Sequence, residues 1–192
     1  MKKIHISYEQ MQGHVSNIIH QMNKDKWQPD YIVGITRGGL LPAVLLSQYL
    51  DVPMYTLRVA LRDGKGGDSE SNYWMSADAF GYDLDENNFK IYDSNLEYVD
   101  TELVSNVPKK KILIVDDIND TGSTISWIKS DWESSTLPNS EKWKEVWHNN
   151  VKFATIVDNV SSKQTVDYAS MEINKAEDPS WIEFPWENFW LK

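Results

Sequence analysis

The sequence predicts an α/β domain in which buried strands alternate with helices around a parallel sheet. Short apolar runs of strand length recur along the chain, and glycine-containing turns and helical patterns follow them. This alternation is typical of parallel sheets. The 192 residues, 41% of them hydrophobic and 25% charged, are enough for one such domain with a sizeable core. Because no internal repeat or domain boundary is evident, we expect residues 1–192 to fold as a single domain.

The first element expected is a helix from about Tyr8 to Asn23. Ser7 and Gln10 have the spacing of a capping box, and apolar side chains recur behind them at helical spacing. These side chains are Met11, Val15, Ile18, Ile19 and Met22.

A strand, a glycine turn and a buried helix come next. The apolar run Tyr31–Ile35 predicts the strand, and Leu40–Leu50 predicts the helix. Between them, residues 36–39 read Thr-Arg-Gly-Gly; the glycines let the backbone approach a ligand, and the arginine can bind phosphate oxygens. An ordinary strand-to-helix turn explains this pattern about as well. Pro53–Ala60 is expected to be the second strand.

Residues 62–107 interrupt the alternation. Arg62–Ser71 is rich in glycine and charge and is predicted to be a mobile loop. Aromatic residues among many acids follow, and some of this segment could pair as strands or a hairpin. The aromatics are Tyr73, Trp74, Phe80, Tyr82, Phe89 and Tyr92. A long insertion of this kind is usually a lid, a subdomain or disorder.

The second half of the chain contains two further buried strands. The apolar run Ile112–Val115 is the central one, and Val151–Val157 is the other. Between them we expect a helix from Ser123 to about Trp132, a loop over 134–140 and a short, Trp-rich helix over 141–148.

The segment directly after the central strand is the most informative. Asp116 and Asp117 provide carboxylates that suit a cation and sugar hydroxyls, and Asp120 adds a third acid. The turn Thr121–Thr124 suits a phosphate, because successive backbone N–H groups can point inward and hydroxyls add donors. The segment therefore predicts a site for a ribose phosphate with Mg²⁺. The alternative is an Asp-rich strand-to-helix turn with a Ser/Thr cap.

The order of this segment resembles the 5-phosphoribosyl-1-pyrophosphate (PRPP) motif of the type I phosphoribosyltransferases: a strand, two acids, two intervening residues and then Asp-Thr-Gly-Ser-Thr. The resemblance covers 30–60 and 109–187 and hardly extends to 62–107. It implies the fold of that family, an α/β fold with a parallel sheet of about five strands, flanking helices and a small hood from the chain termini. It also implies that PRPP, Mg²⁺ and a nucleobase are the ligands.

The resemblance assigns roles to the residues of the segment. Asp116 and Asp117 would face the ribose hydroxyls, with Asp117 also near the metal. Asp120 matches the acid proposed to accept a proton from the incoming base, although an Asp that only stabilises the turn would look the same. The 5′-phosphate would be held by Thr121, Gly122, Ser123 and Thr124.

Two further loops resemble parts of the same site. In the family, the loop equivalent to Thr36, Arg37, Gly38 and Gly39 binds the pyrophosphate group and often carries a non-proline cis peptide, which here would be Thr36–Arg37. The glycine loop Arg62–Glu70 would be the flexible catalytic loop, with Arg62 and Lys65 closing over pyrophosphate. A solvated loop with no role is about as consistent with its sequence.

The tail Trp181–Glu187 resembles the C-terminal segment of bacterial xanthine/guanine phosphoribosyltransferases and their 6-oxopurine relatives. That resemblance implies that Trp181 stacks on the purine, that the backbone at Ile182 reads its edge, and that Glu187 lies close to pyrophosphate and metal. Residues 176–192 would thus form the base-binding part of the hood. The alternative is a C-terminal strand that tryptophans pin to the core or to a partner subunit.

Asp158 and Asn159 depart from this family pattern. Most 6-oxopurine enzymes have a lysine after the preceding strand, which donates to the purine O6, whereas a carboxylate repels a carbonyl oxygen. Asp158 would better suit an exocyclic amine or a ring N–H, with Asn159 as the alternative base-reading residue. Lys163 could reach back to the base.

Composition excludes several other classes of function. A net charge of −10 argues against sequence-independent nucleic-acid binding, and no apolar stretch approaches the roughly 20 residues of a membrane span. The absence of cysteine excludes disulfides and thiol catalysis, and the four histidines lack metal-ligand spacing. We expect a cytoplasmic protein, and the resemblance implies a homo-oligomer, either a dimer or a tetramer.

The function expected from the resemblance is transfer of the 5-phosphoribosyl group of PRPP to a purine base, of the 6-oxopurine class, with release of pyrophosphate in purine salvage. One alternative is a regulatory protein of the same fold that senses PRPP or a nucleotide without turnover. The other is a phosphoribosyltransferase for a different base, which the Asp158 departure supports.

Overall fold

The computed structural model describes residues 2–61, 69–81, 108–136, 138 and 140–187. In chain order its elements are β1 (Lys2–His5), α1 (Tyr8–Lys24), β2 (Tyr31–Thr36), α2 (Leu40–Leu50), β3 (Met54–Arg58), α3 (Tyr73–Phe80), β4 (Ile112–Asn119), α4 (Ser123–Ser135), a 3₁₀ helix (Glu141–Glu145), β5 (Val151–Asn159), β6 (Tyr168–Ile173) and β7 (Ser180–Glu183).

Five strands form one parallel sheet in the order β3-β2-β4-β5-β6. The central strand β4 therefore lies between β2 and β5, and all the carboxyl ends meet at one edge. Two strands from opposite ends of the chain, β1 and β7, form a separate parallel pair, with Lys2 opposite Ser180 and His5 opposite Glu183. The predicted five-stranded sheet and the hood from the termini are confirmed.

The three central strands, β2, β4 and β5, are buried on both faces of the sheet, and alternate residues of each point to opposite faces. Val33, Ile114 and Phe153 pack with α3, α4 and the 3₁₀ helix. Their neighbours Ile32 and Leu113 pack with α1 and α2. Burial on both faces is why these strands are nearly continuous apolar runs.

The first two helices lie where the sequence places them, because their end signals are local. The Ser7 hydroxyl accepts a hydrogen bond from the Gln10 amide, and the Gln10 side chain accepts one from the Ser7 amide, which completes the capping box. Helix α1 ends at Lys24, one residue later than expected, and α2 spans Leu40–Leu50 as expected.

Two strands extend further than predicted, because polar residues after their apolar runs still pair with the neighbouring strand. Strand β4 extends beyond Val115 to Asn119, because it stays paired with β5 up to Asp158. Strand β5 extends beyond Val157 to Asn159, because Asn159 pairs with Ile173 of β6. Strand β3 is shorter than Pro53–Ala60. Strands β1 and β6 were not predicted.

The expectation of strands among the aromatics that follow residue 71 is wrong for Tyr73, Trp74 and Phe80, which lie in helix α3. The Asn72 side chain accepts a hydrogen bond from the Met75 amide at the start of this helix, and Gly81, with φ of 77°, ends it. The predicted helix over 141–148 is a 3₁₀ helix that stops at Glu145.

Some expectations concern residues outside the described ones. The glycine loop with Arg62 and Lys65 falls on 62–68, and the remaining aromatics fall on 82–107. The last residues of the tail, 188–192, are also outside. In the parts of the chain that the structure covers, no helix is long and apolar enough to cross a membrane.

Candidate active site

A cavity of about 1440 Å³ opens at the carboxyl ends of the parallel strands. In an open α/β sheet this edge is where ligands bind. The cavity brings three parts of the sequence together: residues 36–38, residues 116–124 and the tail residues Trp186 and Glu187.

The turn after β2 packs tightly against the end of β4. The Thr36–Arg37 peptide bond is cis, as the resemblance implies. A β-carbon added at Gly38 would lie 1.9 Å from Oδ2 of Asp117, and one added at Gly39 would lie 2.2 Å from the carbonyl oxygen of Val115. At Gly39 the neighbouring atoms are backbone, so only glycine fits, whereas at Gly38 a larger residue would push the Asp117 carboxylate aside. The turn therefore lies directly against the acidic end of the central strand.

Asp116 and Asp117 lie within β4, half-buried at the cavity wall. The Asp116 carboxylate accepts a hydrogen bond from the Asp117 amide at 3.0 Å. Two adjacent residues of a strand point to opposite sides, so the two carboxylates approach the cavity from different directions.

The Thr121–Thr124 turn leads into the N-terminus of α4. Gly122 caps this helix with φ of 81°, and an added β-carbon would lie 2.8 Å from the Gln164 amide nitrogen. The Thr121 hydroxyl lies 2.7 Å from the Ser123 hydroxyl and accepts a hydrogen bond from the Ser123 amide. Backbone N–H groups, hydroxyls and the positive end of the helix dipole are thus combined in one anion-binding arrangement.

Asp120 is held by residues of the next two strands. Its carboxylate Oδ2 lies 2.8 Å from the Lys175 ammonium, just beyond β6, and its carbonyl oxygen accepts a hydrogen bond of 2.8 Å from Asn159. Lys175 is not among the residues predicted from the sequence. Its place just after β6, a strand of the sheet, is the one signal that could have identified it.

Asp158 and Asn159 are engaged within the protein and do not contribute to the cavity lining. The Asp158 carboxylate accepts a hydrogen bond of 2.7 Å from the Asn119 side chain. Burial raises the Asp158 pKa, and the nearby Glu172 adds to the rise, whereas the Asn119 hydrogen bond opposes it. The Asn159 side-chain oxygen accepts hydrogen bonds from Ser161 and from the Lys175 amide.

The tail contributes residues other than those expected. Trp181 is 42% exposed and, like the buried Ile182, belongs to β7; neither contributes to the cavity lining. The alternative expectation for this segment, a C-terminal strand, is therefore correct for Ser180–Glu183, which pairs with β1. Trp186 does line the cavity, and it stacks on the buried Phe184 with ring centroids 4.9 Å apart and planes 8° apart.

Arg58 is a second cavity residue that was not predicted from the sequence. It ends β3, lies opposite Thr36 in the sheet, and lines the cavity. Arg37 lines the cavity as well, so two arginines and four acids contribute to its wall. These acids are Asp116, Asp117, Asp120 and Glu187.

The described residues contain no group of three or more acidic or histidine side chains placed to hold a metal ion. Mg²⁺ is usually bound by one or two carboxylates together with substrate phosphates. Asp117 and Glu187, which line the same cavity, are a donor set of that kind, and one Glu187 oxygen accepts a hydrogen bond from the Phe184 amide.

Comparison with known proteins covers nearly the whole chain. The family model for the phosphoribosyl transferase domain matches residues 7–190. Xanthine-guanine phosphoribosyltransferase of Cereibacter sphaeroides is 26% identical over 97% of this chain and 87% of its own length. Xanthine phosphoribosyltransferase 1 of Saccharomyces cerevisiae is 19% identical over 97% of this chain and 90% of its own length.

Solved structures agree on the fold. A purine phosphoribosyltransferase from Pyrococcus horikoshii superposes with a TM-score of 0.57 at 22% identity, over 97% of this chain and 95% of that one. The xanthine-guanine-hypoxanthine enzyme of Helicobacter pylori gives a TM-score of 0.58 at 18% identity, over 98% of this chain and 96% of that one.

Proposed function

Since this chain belongs to the phosphoribosyl transferase domain family, we propose that it transfers the 5-phosphoribosyl group of PRPP to a purine base of the 6-oxopurine class. The products are a nucleoside 5′-monophosphate and pyrophosphate, and the role is purine salvage. The whole chain acts as one catalytic domain. The xanthine and xanthine-guanine relatives support a purine as acceptor.

The observation that carries the proposal is the contact between two loops of opposite chemistry. Gly38, next to a guanidinium group, is packed against the carboxylate of Asp117, which precedes the phosphate-type turn. A ligand with anionic groups at two ends and hydroxyls between them would match this wall. PRPP, with its pyrophosphate, ribose and 5′-phosphate, has that pattern.

We assign the 5′-phosphate to Thr121, Gly122, Ser123 and Thr124. The N-terminal N–H groups of α4 and the hydroxyls in this turn support the assignment. Asp116 and Asp117 accept hydrogen bonds from the ribose hydroxyls. Because both acids are fixed in a strand rather than a free loop, the ribose is held in one orientation while its bond to pyrophosphate breaks.

Pyrophosphate is placed at Thr36, Arg37, Gly38 and Gly39. Negative charge grows on the leaving group as the C1–O bond breaks, and Arg37 offsets it. Arg58, on the neighbouring strand end, adds a second positive charge on the same wall. On the ribose side, the nearby carboxylates tolerate the positive charge that develops on the sugar.

Mg²⁺ would be held by Asp117 and Glu187 together with PRPP oxygens, and when bound it neutralises charge on the pyrophosphate. The presence of two cavity carboxylates without a complete protein cage supports a metal that arrives with its substrate.

The acceptor base is placed beside Asp120 and the tail. Asp120 lines the cavity and accepts the proton that the base loses as its nitrogen attacks the ribose. Trp181, Ile182, Asp158 and Asn159 remain candidates for base recognition. Because Trp186 lines the cavity and Trp181 does not, Trp186 is the better-supported stacking residue.

The proposal is tested by measuring pyrophosphate release from PRPP and Mg²⁺ with hypoxanthine, guanine, xanthine, adenine, uracil and orotate. Turnover with a 6-oxopurine is the expected result. Turnover only with another base would keep the chemistry and contradict the acceptor. PRPP binding without turnover on any base would favour a sensing protein.

We also propose a homo-oligomer, a dimer or a tetramer. Large apolar side chains on and near the edge strand β3 support it, since Tyr49 and Tyr55 are 62% and 43% exposed. Sedimentation velocity at several protein concentrations tests this point, and a monomer throughout would contradict it.

A further inference from the structure

Asp120 and Lys175 form an ion pair between two parts of the chain that are 55 residues apart. The ammonium of Lys175 lies 2.8 Å from Oδ2 of Asp120, with side-chain exposures of 20% for the lysine and 45% for the aspartate. The aspartate lines the cavity, whereas the lysine does not contribute to its lining. The pair is thus half-shielded from water at the acceptor end of the site.

Asn159 fixes both partners of this pair through their backbones. Its side-chain nitrogen donates to the carbonyl oxygen of Asp120 at 2.8 Å, and its side-chain oxygen accepts from the Lys175 amide at 3.0 Å. Asn159 is itself buried at the end of β5. The three residues therefore form a closed ring of contacts across the ends of β4, β5 and β6.

The ion pair is directed at one oxygen of the carboxylate. Lys175 donates to Oδ2, and no side chain or backbone amide among the described residues donates a hydrogen bond to Oδ1. A carboxylate held in this way has a fixed position and one oxygen available to a proton donor. A surface ion pair alone contributes little to stability, so its geometry matters here more than its strength.

We propose that Lys175 is a positioning residue for phosphoribosyl transfer, which acts through Asp120 by holding its carboxylate at the acceptor end of the cavity. This inference rests on the proposed function. In the reaction the N–H bond of the base breaks and an O–H bond forms at Oδ1 of Asp120. Lys175 stays at Oδ2 throughout and neither gains nor loses a proton.

The first test compares Lys175→Met with Lys175→Arg in the full-length protein. Lys175→Met keeps most of the length of the side chain and removes the charge. We expect kcat to fall by about 10- to 100-fold, because small misplacements of a reacting group have effects of this size. The KM values for PRPP and for the base should change little. Lys175→Arg should recover most of kcat, since the guanidinium can reach the same carboxylate.

Lys144→Met is the matched control, because it also removes a Lys–carboxylate ion pair, that with Glu141, but on the exposed 3₁₀ helix. Its kcat should equal that of the wild type. Thermal unfolding of all variants separates loss of activity from loss of folding. An unchanged kcat in Lys175→Met, or a fall of equal size in Lys175→Arg, would overturn the inference. A rise in the KM for the base with kcat unchanged would do so too, since Lys175 would then contact the base.

A double-mutant cycle gives the second test. If Lys175 acts through Asp120, the Lys175→Met change should have almost no effect on kcat in an Asp120→Asn background. Equal effects in the two backgrounds would show a role independent of Asp120. The proposed function fails separately, by an absence of turnover in the wild-type protein on every base.

Discussion

Gly38 lies so close to Asp117 that a β-carbon at residue 38 would be 1.9 Å from the carboxylate Oδ2. The contact joins the turn after β2 to the acidic end of β4. It sets the distance between the proposed pyrophosphate and ribose subsites, and it can be changed by one methyl group.

Gly38→Ala should therefore displace the Asp117 carboxylate and lower kcat by about 100-fold, the typical effect of a shift of about 1 Å in a catalytic group. The measurement is steady-state pyrophosphate release. Gly13→Ala is the control, because nothing lies within 4 Å of the added carbon in helix α1. That change should leave kcat unaltered and stabilise the protein by roughly 1 kcal/mol. Near-wild-type turnover in Gly38→Ala would contradict the assignment.

Asp117→Asn and Arg37→Ala should each lower turnover by about 100- to 1000-fold, because each removes a group that stabilises charge in the transition state. Neither change should lower the unfolding temperature greatly, since both side chains face the cavity. For Asp117→Asn the control is Asp51→Asn, at the C-cap of α2 with φ of 54°, where asparagine is well tolerated. Normal rates in both site variants would refute the site.

Trp186→Ala should raise the KM for the acceptor base about tenfold or more, since stacking of a base on an aromatic ring contributes about 1–3 kcal/mol. The KM for PRPP should change less. Trp181→Ala, which removes a partly exposed ring of the same size, should have the smaller effect on the base. The opposite order of effects would return the stacking role to Trp181.

Asp158→Asn should raise stability at neutral pH. Burial raises the Asp158 pKa in the folded protein above its unfolded value, so keeping this group ionised destabilises the fold at every pH above that folded pKa. Asparagine removes the charge and keeps an oxygen to accept from Asn119. The gain should shrink as the pH falls through the folded pKa and vanish below the unfolded value of 3.8. Urea unfolding at several pH values measures it.

The same Asp158→Asn variant tests base recognition. If the side chain serves only to hold Asn119, the ratio of turnover on hypoxanthine to turnover on adenine should not change. A shift in that ratio would show that Asp158 reads the base.

Local signals were sufficient for much of the fold and for the core of the site. The capping box at Ser7, the apolar runs of the central strands and the phosphate-type turn at Thr121–Thr124 each depend on residues within a few positions of one another. Their physical causes, which are end capping, burial and backbone N–H orientation, act over the same short range. The parallel sheet could be predicted because strands alternate with helices along the chain.

The remaining strand ends and site residues depend on pairing between distant segments, which a local sequence pattern does not reveal. Asp158 and Asn159 extend β5 beyond the apolar run because Asp158 pairs with β4 and Asn159 pairs with β6. Lys175 became part of the site only because β6 adds to the sheet next to β5. Arg58 could have been identified from the sequence. It lies near the end of a predicted strand, and the carboxyl ends of parallel strands lie at the same edge of the sheet.

The pairing of β1 with β7 has a consequence for the order of events during synthesis. Lys2 lies opposite Ser180, so β1 leaves the ribosome long before its pairing partner β7 has been translated. At about 5–20 residues per second, that strand waits roughly 10 to 35 s for its neighbour. Trp186 and Glu187 emerge later still, and the nascent chain thus has a nearly complete sheet before the wall that closes its cavity exists.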